Sequence, residues 1–168
     1  MRGWLLDTNL ISELRKARAD NGVVAFMVAQ PGIALYTSDI TFGEIRYGIE
    51  QMADAARRAD LHLWLGRAIR PLFAGRTLPV SEDVIVRWKM MVVDGQKRGH
   101  TFGQPDLFIA AIAALEDLVV VSRDITHFVA AGVPVFDPWA GILHARGESL
   151  AFTRTATVEV VNALLRKR

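Results

Sequence analysis

Pro105-Asp106-Leu107-Phe108-Ile109-Ala110-Ala111-Ile112-Ala113, followed by Leu118-Val119-Val120-Val121-Ser122-Arg123-Asp124, decides the architecture of this chain. Pro105 suits the first turn of a helix, and the residues after Asp106 are apolar nearly all round, as in a helix buried against a sheet. Leu118 to Val121 is wholly apolar and too short for a helix. It reads as a strand covered on both faces, the kind that fills parallel sheets. Ser122-Arg123-Asp124 ends that strand on polar side chains.

Upstream, Trp4 to Leu6 is another short apolar run, closed by the turn- and cap-forming residues Asp7-Thr8-Asn9 and followed by Leu10, Ile11 and Leu14 at helical spacing. A helix over Asn21 to Ala29 breaks at Gln30-Pro31-Gly32. Ile33 to Tyr36 is then a strand leading into Thr37-Ser38. One helix runs from Thr41 through Ile45, Tyr47 and Ile49, and another covers Ala53 to Phe73. Arg76 to Pro79 is a brief strand, Ser81 caps a helix through Val92, and Gly95 to Gly103 is a polar, glycine-bearing loop. After Asp124 come a helical turn near Phe128 to Ala131, a strand over Val133 to Phe136 and the closing Asp137-Pro138-Trp139.

Strands alternating with helices predict an α/β fold, a three-layer α/β/α sandwich around a mainly parallel sheet of four to five strands. Residues 1–140 form this unit. Residues 141–168 are expected to be an appendage: Gly141 to Leu150 reads as loop, and Ala156 to Arg168 as an amphipathic stretch with a basic end.

Composition narrows the function. The chain of 168 residues is 51% hydrophobic, enough to bury a core without covalent staples. It contains no Cys, so metal ligands are restricted to carboxylate, imidazole and carbonyl groups, which favours hard cations. The opening Met1-Arg2-Gly3-Trp4-Leu5-Leu6-Asp7 is too short an apolar stretch for a signal peptide. No apolar run approaches the roughly 20 residues that span a bilayer. A cytoplasmic protein is expected. The net charge is +2, and five Lys or Arg against two Glu fall after Ala140, so the body of the chain is no basic clamp. Nucleic acid would have to be held by a local basic rim or a cation in an acidic pocket.

Such a pocket is predicted. Asp7, Asp106 and Asp124 stand at strand ends or helix starts, Glu44 lies in the helix after the second strand, and all four fall at the carboxyl edge of the sheet, where parallel sheets bind ligands. Gathered carboxylates repel unless a cation or shared protons neutralise them. Mg²⁺ or Mn²⁺, which take a few carboxylates and keep waters, suit phosphodiester hydrolysis. Asp7 and Asp106 are the expected direct ligands, with Glu44 and Asp124 completing the shell or orienting the attacking water.

Each acid also has an ordinary structural role. Thr41-Phe42-Gly43-Glu44 fits a capping box, Asp106 fits a first helical turn, and Asp7 and Asp124 fit turns. Glu13 is expected to be solvated or paired with Arg15 or Arg46. The four His have no metal-pair spacing and read as surface or core filler. Arg46, Lys89, Arg123 and the Lys97-Arg98-Gly99-His100 loop are candidate phosphate contacts. Phe26, Tyr47, Trp64 and Trp88 read as core or dimer-interface anchors.

Four segments resemble, in order, the signatures of PIN-domain ribonucleases of the VapC and FitB kind. They are Leu5-Leu6-Asp7-Thr8-Asn9 with Ile11-Ser12-Glu13-Leu14; Ser38 to Ile49; Asp106-Leu107-Phe108-Ile109-Ala110-Ala111; and Val121-Ser122-Arg123-Asp124-Ile125-Thr126-His127-Phe128. The ending Gly132 to Trp139 is similar to the FitB type, so the resemblance spans Leu5 to Trp139. It implies a PIN domain and a magnesium-dependent RNase toxin, usually a dimer, held inactive by an antitoxin whose C-terminal segment occupies the active-site groove. By position Asp7, Glu44, Asp106 and Asp124 match the acidic quartet of the family, and Thr8, Asn9 and Ser122 match polar residues that orient it. Many relatives place Asn at the position of Asp124. The segment after Ala140 has no counterpart.

Two other functions compete. A partner protein that binds an antitoxin and helps it hold operator DNA would need no catalysis. A haloacid-dehalogenase-like phosphohydrolase would also place Asp7 after the first strand. It wants an acid where Asn9 stands and Thr or Val where Ile11 stands. A dinucleotide-binding role fails because no G-x-G-x-x-G follows the first strand.

Overall fold

The computed structural model of the protein describes residues 1–101 and 104–166. In chain order the elements are β1 (Gly3–Leu6), α1 (Thr8–Glu13), α2 (Asn21–Ala29), β2 (Leu35–Ser38), α3 (Asp39–Glu50), α4 (Ala55–Trp64), β3 (Thr77–Leu78), α5 (Glu82–Lys97), α6 (Gln104–Leu115), β4 (Leu118–Val121), α7 (Thr126–Ala130), β5 (Val135–Asp137), β6 (Ile142–Ala145), β7 (Glu148–Ala151) and α8 (Val158–Arg166). The sheet order is β3-β2-β1-β4-β5-β6-β7. The first five strands in that order are parallel, and β6 and β7 are antiparallel to their neighbours.

The pleat assigns side chains to two cores. Trp4, Leu6, Val119, Val121 and Phe136 point to one face, under α1 to α4 and α8. Leu5, Val120 and Val135 point to the other, under α5 to α7. Both faces of β1 and β4 are therefore dry, which is why Leu118 to Val121 needs no polar alternation. The result is the expected α/β/α sandwich.

Several boundaries differ from the sequence-based expectation. A 3₁₀ turn over Gly32–Ala34 pushes β2 to Leu35–Ser38. Ser38 then caps α3 by accepting from Thr41 N at 3.1 Å, so the helix begins two residues before Thr41. The capping box at Thr41 does not form, and Glu44 lies a full turn inside the helix. The expected helix over Ala53 to Phe73 becomes α4, a π turn over Leu65–Ile69 and a 3₁₀ turn over Arg70–Phe73. Pro71 cannot donate to the turn behind it, so regular winding cannot pass through it. β5 likewise begins at Val135 rather than Val133.

Helix α5 outruns its expected end at Val92 and takes in Gly95 to Lys97, the first part of the expected loop. It stops in a Schellman motif. Gly99 has φ +73°, its N–H reaches Gln96 O, and His100 N reaches Gly95 O at 2.9 Å. Phe102 and Gly103 of the expected loop lie outside the described residues.

The largest difference is beyond Ala140. Gly141 to Leu150 is a hairpin and not a loop, and it raises the sheet to seven strands among the described residues. Ala145 pairs with Glu148, leaving the two-residue turn Arg146-Gly147 with φ of +54° and +79°. Those signs define a type I′ turn, whose twist matches that of the strands it joins. Phe152, Ala156, Val158, Val161 and Leu165 then enter the same core as Trp4. No described helix is long and apolar enough to cross a membrane.

Candidate active site

The parallel register builds the site. Leu6 pairs with Val121, so the residues that follow, Asp7 and Ser122, emerge side by side at the carboxyl edge. Asp7 N donates to Val121 O at 3.1 Å, and the buried hydroxyls of Thr37 and Thr41 both point to Leu6 O at 3.4 Å, fixing the strand end.

Asp7 is 4% exposed and caps α1. Its carboxylate accepts from Thr8 N at 2.7 Å, Asn9 Nδ2 at 3.0 Å and Ser122 Oγ at 2.7 Å. Asn9 Nδ2 also reaches Ser122 Oγ at 2.8 Å, and its Oδ1 accepts from Arg123 N at 3.3 Å. Ser122 Oγ accepts from Asp124 N at 3.0 Å, so it ties the loop after β4 to the end of β1. Thr8, Asn9 and Ser122 are thus supports for Asp7 and its neighbours. Thr8 Oγ1 donates to Glu44 Oε2 at 2.6 Å, which aims Glu44 from α3 toward the same edge.

Three of the four predicted acids hold protons more tightly than ordinary carboxyls. Burial raises Asp7 to about 6 against the hydrogen bonds from Ser122 and Thr8, with added repulsion from Asp106 and Glu44. Burial also raises Glu44, which Asp106 repels while Thr8 stabilises the anion. Asp106 is raised by burial and by Asp124, against attraction from His127. Asp7, Glu44 and Asp106 therefore share one field, which Asp124 joins through Asp106. Asp124 is exposed, unlike the others.

His127, which the sequence offers only as surface or core filler, stands beside two of them. One ligand atom each from Asp106, Asp124 and His127 lie within 4.8 Å of one another. The signal was the spacing Asp124-x-x-His127, which places both at the start of α7; its meaning depends on α6 packing beside α7.

Glu13 is apart from this group. It is buried, and it accepts from Lys16 Nζ at 2.6 Å and Asp20 N at 3.0 Å, not from Arg15 or Arg46. The Lys16 hydrogen bond holds its carboxyl below the ordinary range. Glu13→Ala is expected to lower stability by about 1–3 kcal/mol through the lost charge-assisted bonds. Its catalytic rate, measured on the folded variant, should stay near that of the parent.

The surroundings are mixed. Arg46 stands 4.0 Å from Glu50, and Lys89 lies over the Trp88 ring. Phe26 is core, Trp64 is partly buried against it, and Trp88 stacks on Phe108 at 4.7 Å. Tyr47 is 66% exposed, so it is not a core anchor. It lines an open cleft of about 710 Å³ with Thr8, Ile40, Glu44, Pro105 and Phe108, a largely apolar trough with acids at one side.

The PIN domain family model matches residues 4–132. The chain is 37% identical over 135 residues to VapC ribonuclease Y4jK of Sinorhizobium fredii, covering 80% of this chain and 96% of that one. It is also 37% identical over 135 residues to toxin FitB of Neisseria gonorrhoeae, covering 80% of this chain and 97% of that one. Among solved structures, FitAcB from Neisseria gonorrhoeae matches with a TM-score of 0.77 at 37% identity, over 81% of this chain and 98% of that one. FitAB bound to an IR36 DNA fragment matches with a TM-score of 0.76 at 35% identity, over 81% and 95%. With its sheet order, its acid-lined carboxyl edge and these matches in agreement, the chain belongs to the PIN-domain family.

Proposed function

We propose that this protein is the toxin of a type II toxin–antitoxin pair, a divalent-cation-dependent ribonuclease of the cytoplasm. The observation that carries the reading is the convergence of Asp7, Glu44, Asp106 and Asp124 on one sheet edge, where three of them resist ionisation through burial and mutual repulsion. The names of the VapC and FitB relatives support the biological role.

The donor set fits Mg²⁺ or Mn²⁺: hard oxygen ligands, partly exposed, with negative charge that is costly until neutralised. Asp7 and Asp106 would hold the cation, with Glu44 and Asp124 beside them. When bound, the cation supplies positive charge to the scissile phosphate and polarises water. The chain's residues do the rest. Ser122, Asn9 and Thr8 N fix the Asp7 carboxylate, and Thr8 Oγ1 fixes Glu44, so neither must reorganise when substrate arrives. Glu44 or Asp124 would accept a proton from attacking water, and the raised affinity of Glu44 for protons suits it to that task.

The apolar trough beside Glu44 suits an antitoxin segment that lays an apolar side chain over Tyr47 and Phe108 and an Arg on the carboxylates. FitAB bound to DNA favours a second role, in which antitoxin and toxin together occupy operator DNA, the toxin reaching DNA through its partner. A homodimer completes the assembly. Residues 1–140 are the PIN unit of this reading, and 141–168 are an addition that braces it, because every proposed ligand lies before the hairpin.

The test is cleavage of RNA by the free protein. Activity should require Mg²⁺ or Mn²⁺, disappear with EDTA and return with excess metal. Hydrolysis of small phosphomonoesters without RNA cleavage would overturn the reading in favour of a phosphohydrolase, and no hydrolysis at all would favour a binding protein.

A further inference from the structure

Among the described residues no hydrogen bond holds the His127 ring. Its Nε2 stands 3.8 Å from Asp106 Oδ2, beyond hydrogen-bonding distance, and its Nδ1 is buried with no hydrogen-bond partner among the described residues. The ring is about one-third exposed and packs edge-on to His100 at 6.2 Å. Nε2 is the nitrogen turned toward the Asp106 carboxylate, at a separation that two ligands of one ion can adopt. Beside it, carboxylate oxygens of Asp106 and Asp124 complete a three-donor group within 4.8 Å.

We infer that His127 is a nitrogen donor to the cation that Asp106 holds beside Asp124, which makes the site selective for a first-row transition dication over Mg²⁺. The inference rests on the metal-dependent nuclease reading and deepens it. Imidazole suits transition metals, whereas Mg²⁺ prefers oxygen ligands and water. Replacing one oxygen position by nitrogen therefore changes the relative affinities of the two ions. The main-chain arrangement permits it. Asp106 enters from the start of α6, His127 from the first turn of α7 and Asp124 from the loop before it, so the packing of α6 beside α7 brings the three together.

The experiment uses the full chain and Mn²⁺ as the probe. Electron spin echo envelope modulation of the Mn²⁺-loaded protein should show a directly coordinated ¹⁴N that disappears in His127→Asn. Titration should show Mn²⁺ bound more tightly than Mg²⁺. Because loss of even an indirect partner of a metal costs about 10–100-fold in affinity, His127→Asn should weaken Mn²⁺ by at least about tenfold and Mg²⁺ far less. Circular dichroism confirms that the variant is folded, and His100→Asn serves as a neighbour control that keeps the nitrogen signal. Mn²⁺ bound without a nitrogen signal, or with unchanged selectivity in folded His127→Asn, would overturn this inference and leave the nuclease reading intact. Absence of any Mn²⁺ or Mg²⁺ binding that depends on Asp106 would overturn both.

Discussion

Metal-free and metal-loaded protein are expected to respond to pH with opposite signs between about pH 8 and pH 5. Asp7 has its carboxyl raised from 3.8 to about 6, chiefly by burial. A raised folded-state value means that the native protein binds the proton more tightly than the unfolded chain. Its contribution to stability is fully present below about pH 4 and is lost as pH climbs through about 6. At pH 8 the ionised group costs on the order of 3 kcal/mol relative to its protonated form. The metal-free melting temperature should therefore rise as the solution is acidified toward pH 5. Cation binding needs the ionised carboxylate, so the metal-induced gain runs the other way. Below about pH 6, with metal kept under saturation, affinity should fall about tenfold per pH unit for the one proton displaced. Thermal melts with and without Mn²⁺ should diverge at pH 8 and converge near pH 5. Asp7→Asn should flatten both trends. Curves that stay parallel across this range would show that Asp7 does not couple protons to metal.

How much of this was readable beforehand depends on how local the cause is. The span of α2 over Asn21 to Ala29 was legible because Asp20 caps it and Gln30-Pro31-Gly32 stops it, all within a few residues. β4 was legible because Leu118 to Val121 is apolar on both faces. The hairpin after Ala140 was not, since its turn uses Arg146 at positive φ, where Asn or Asp before Gly would have advertised it. The end of α5 was carried by Gly99, a residue that reads equally as loop filler until the helix before it is known to continue. The acids were legible through their order along the chain and through resemblance to a family. Their supports were partly so: Ser122 is adjacent to the motif, but its hydroxyl's link to both Asp7 and Asn9 follows from the pairing of β1 with β4. His127 shows the limit. Its neighbour Asp106 is distant in sequence, and only packing of α6 with α7 brings them together.

Asp106→Asn separates a structural acid from a catalytic one most sharply. In the structural reading, Asp106 favours the start of α6 through its charge, worth about 0.3–1 kcal/mol, and its removal should lower stability while sparing cleavage. The surroundings argue for the reverse. Among the described residues no donor is hydrogen-bonded to its carboxylate, and the nearest cation-capable group, His127 Nε2, is 3.8 Å away. Burial raises its proton affinity, Asp124 adds repulsion, and His127 offsets only part of this. Asn keeps the shape, loses no hydrogen bond and removes a charge that the fold tolerates poorly without a cation. The metal-free variant should melt at the parent temperature or above it. Without one of the two expected direct ligands, metal-dependent RNA cleavage should fall by about a hundredfold or more, and growth inhibition should disappear with it. The two measurements move in opposite directions only if the carboxylate is kept for chemistry at a cost to stability. A variant that melts lower and cleaves RNA near the parent rate would return Asp106 to the role of a helix-start residue.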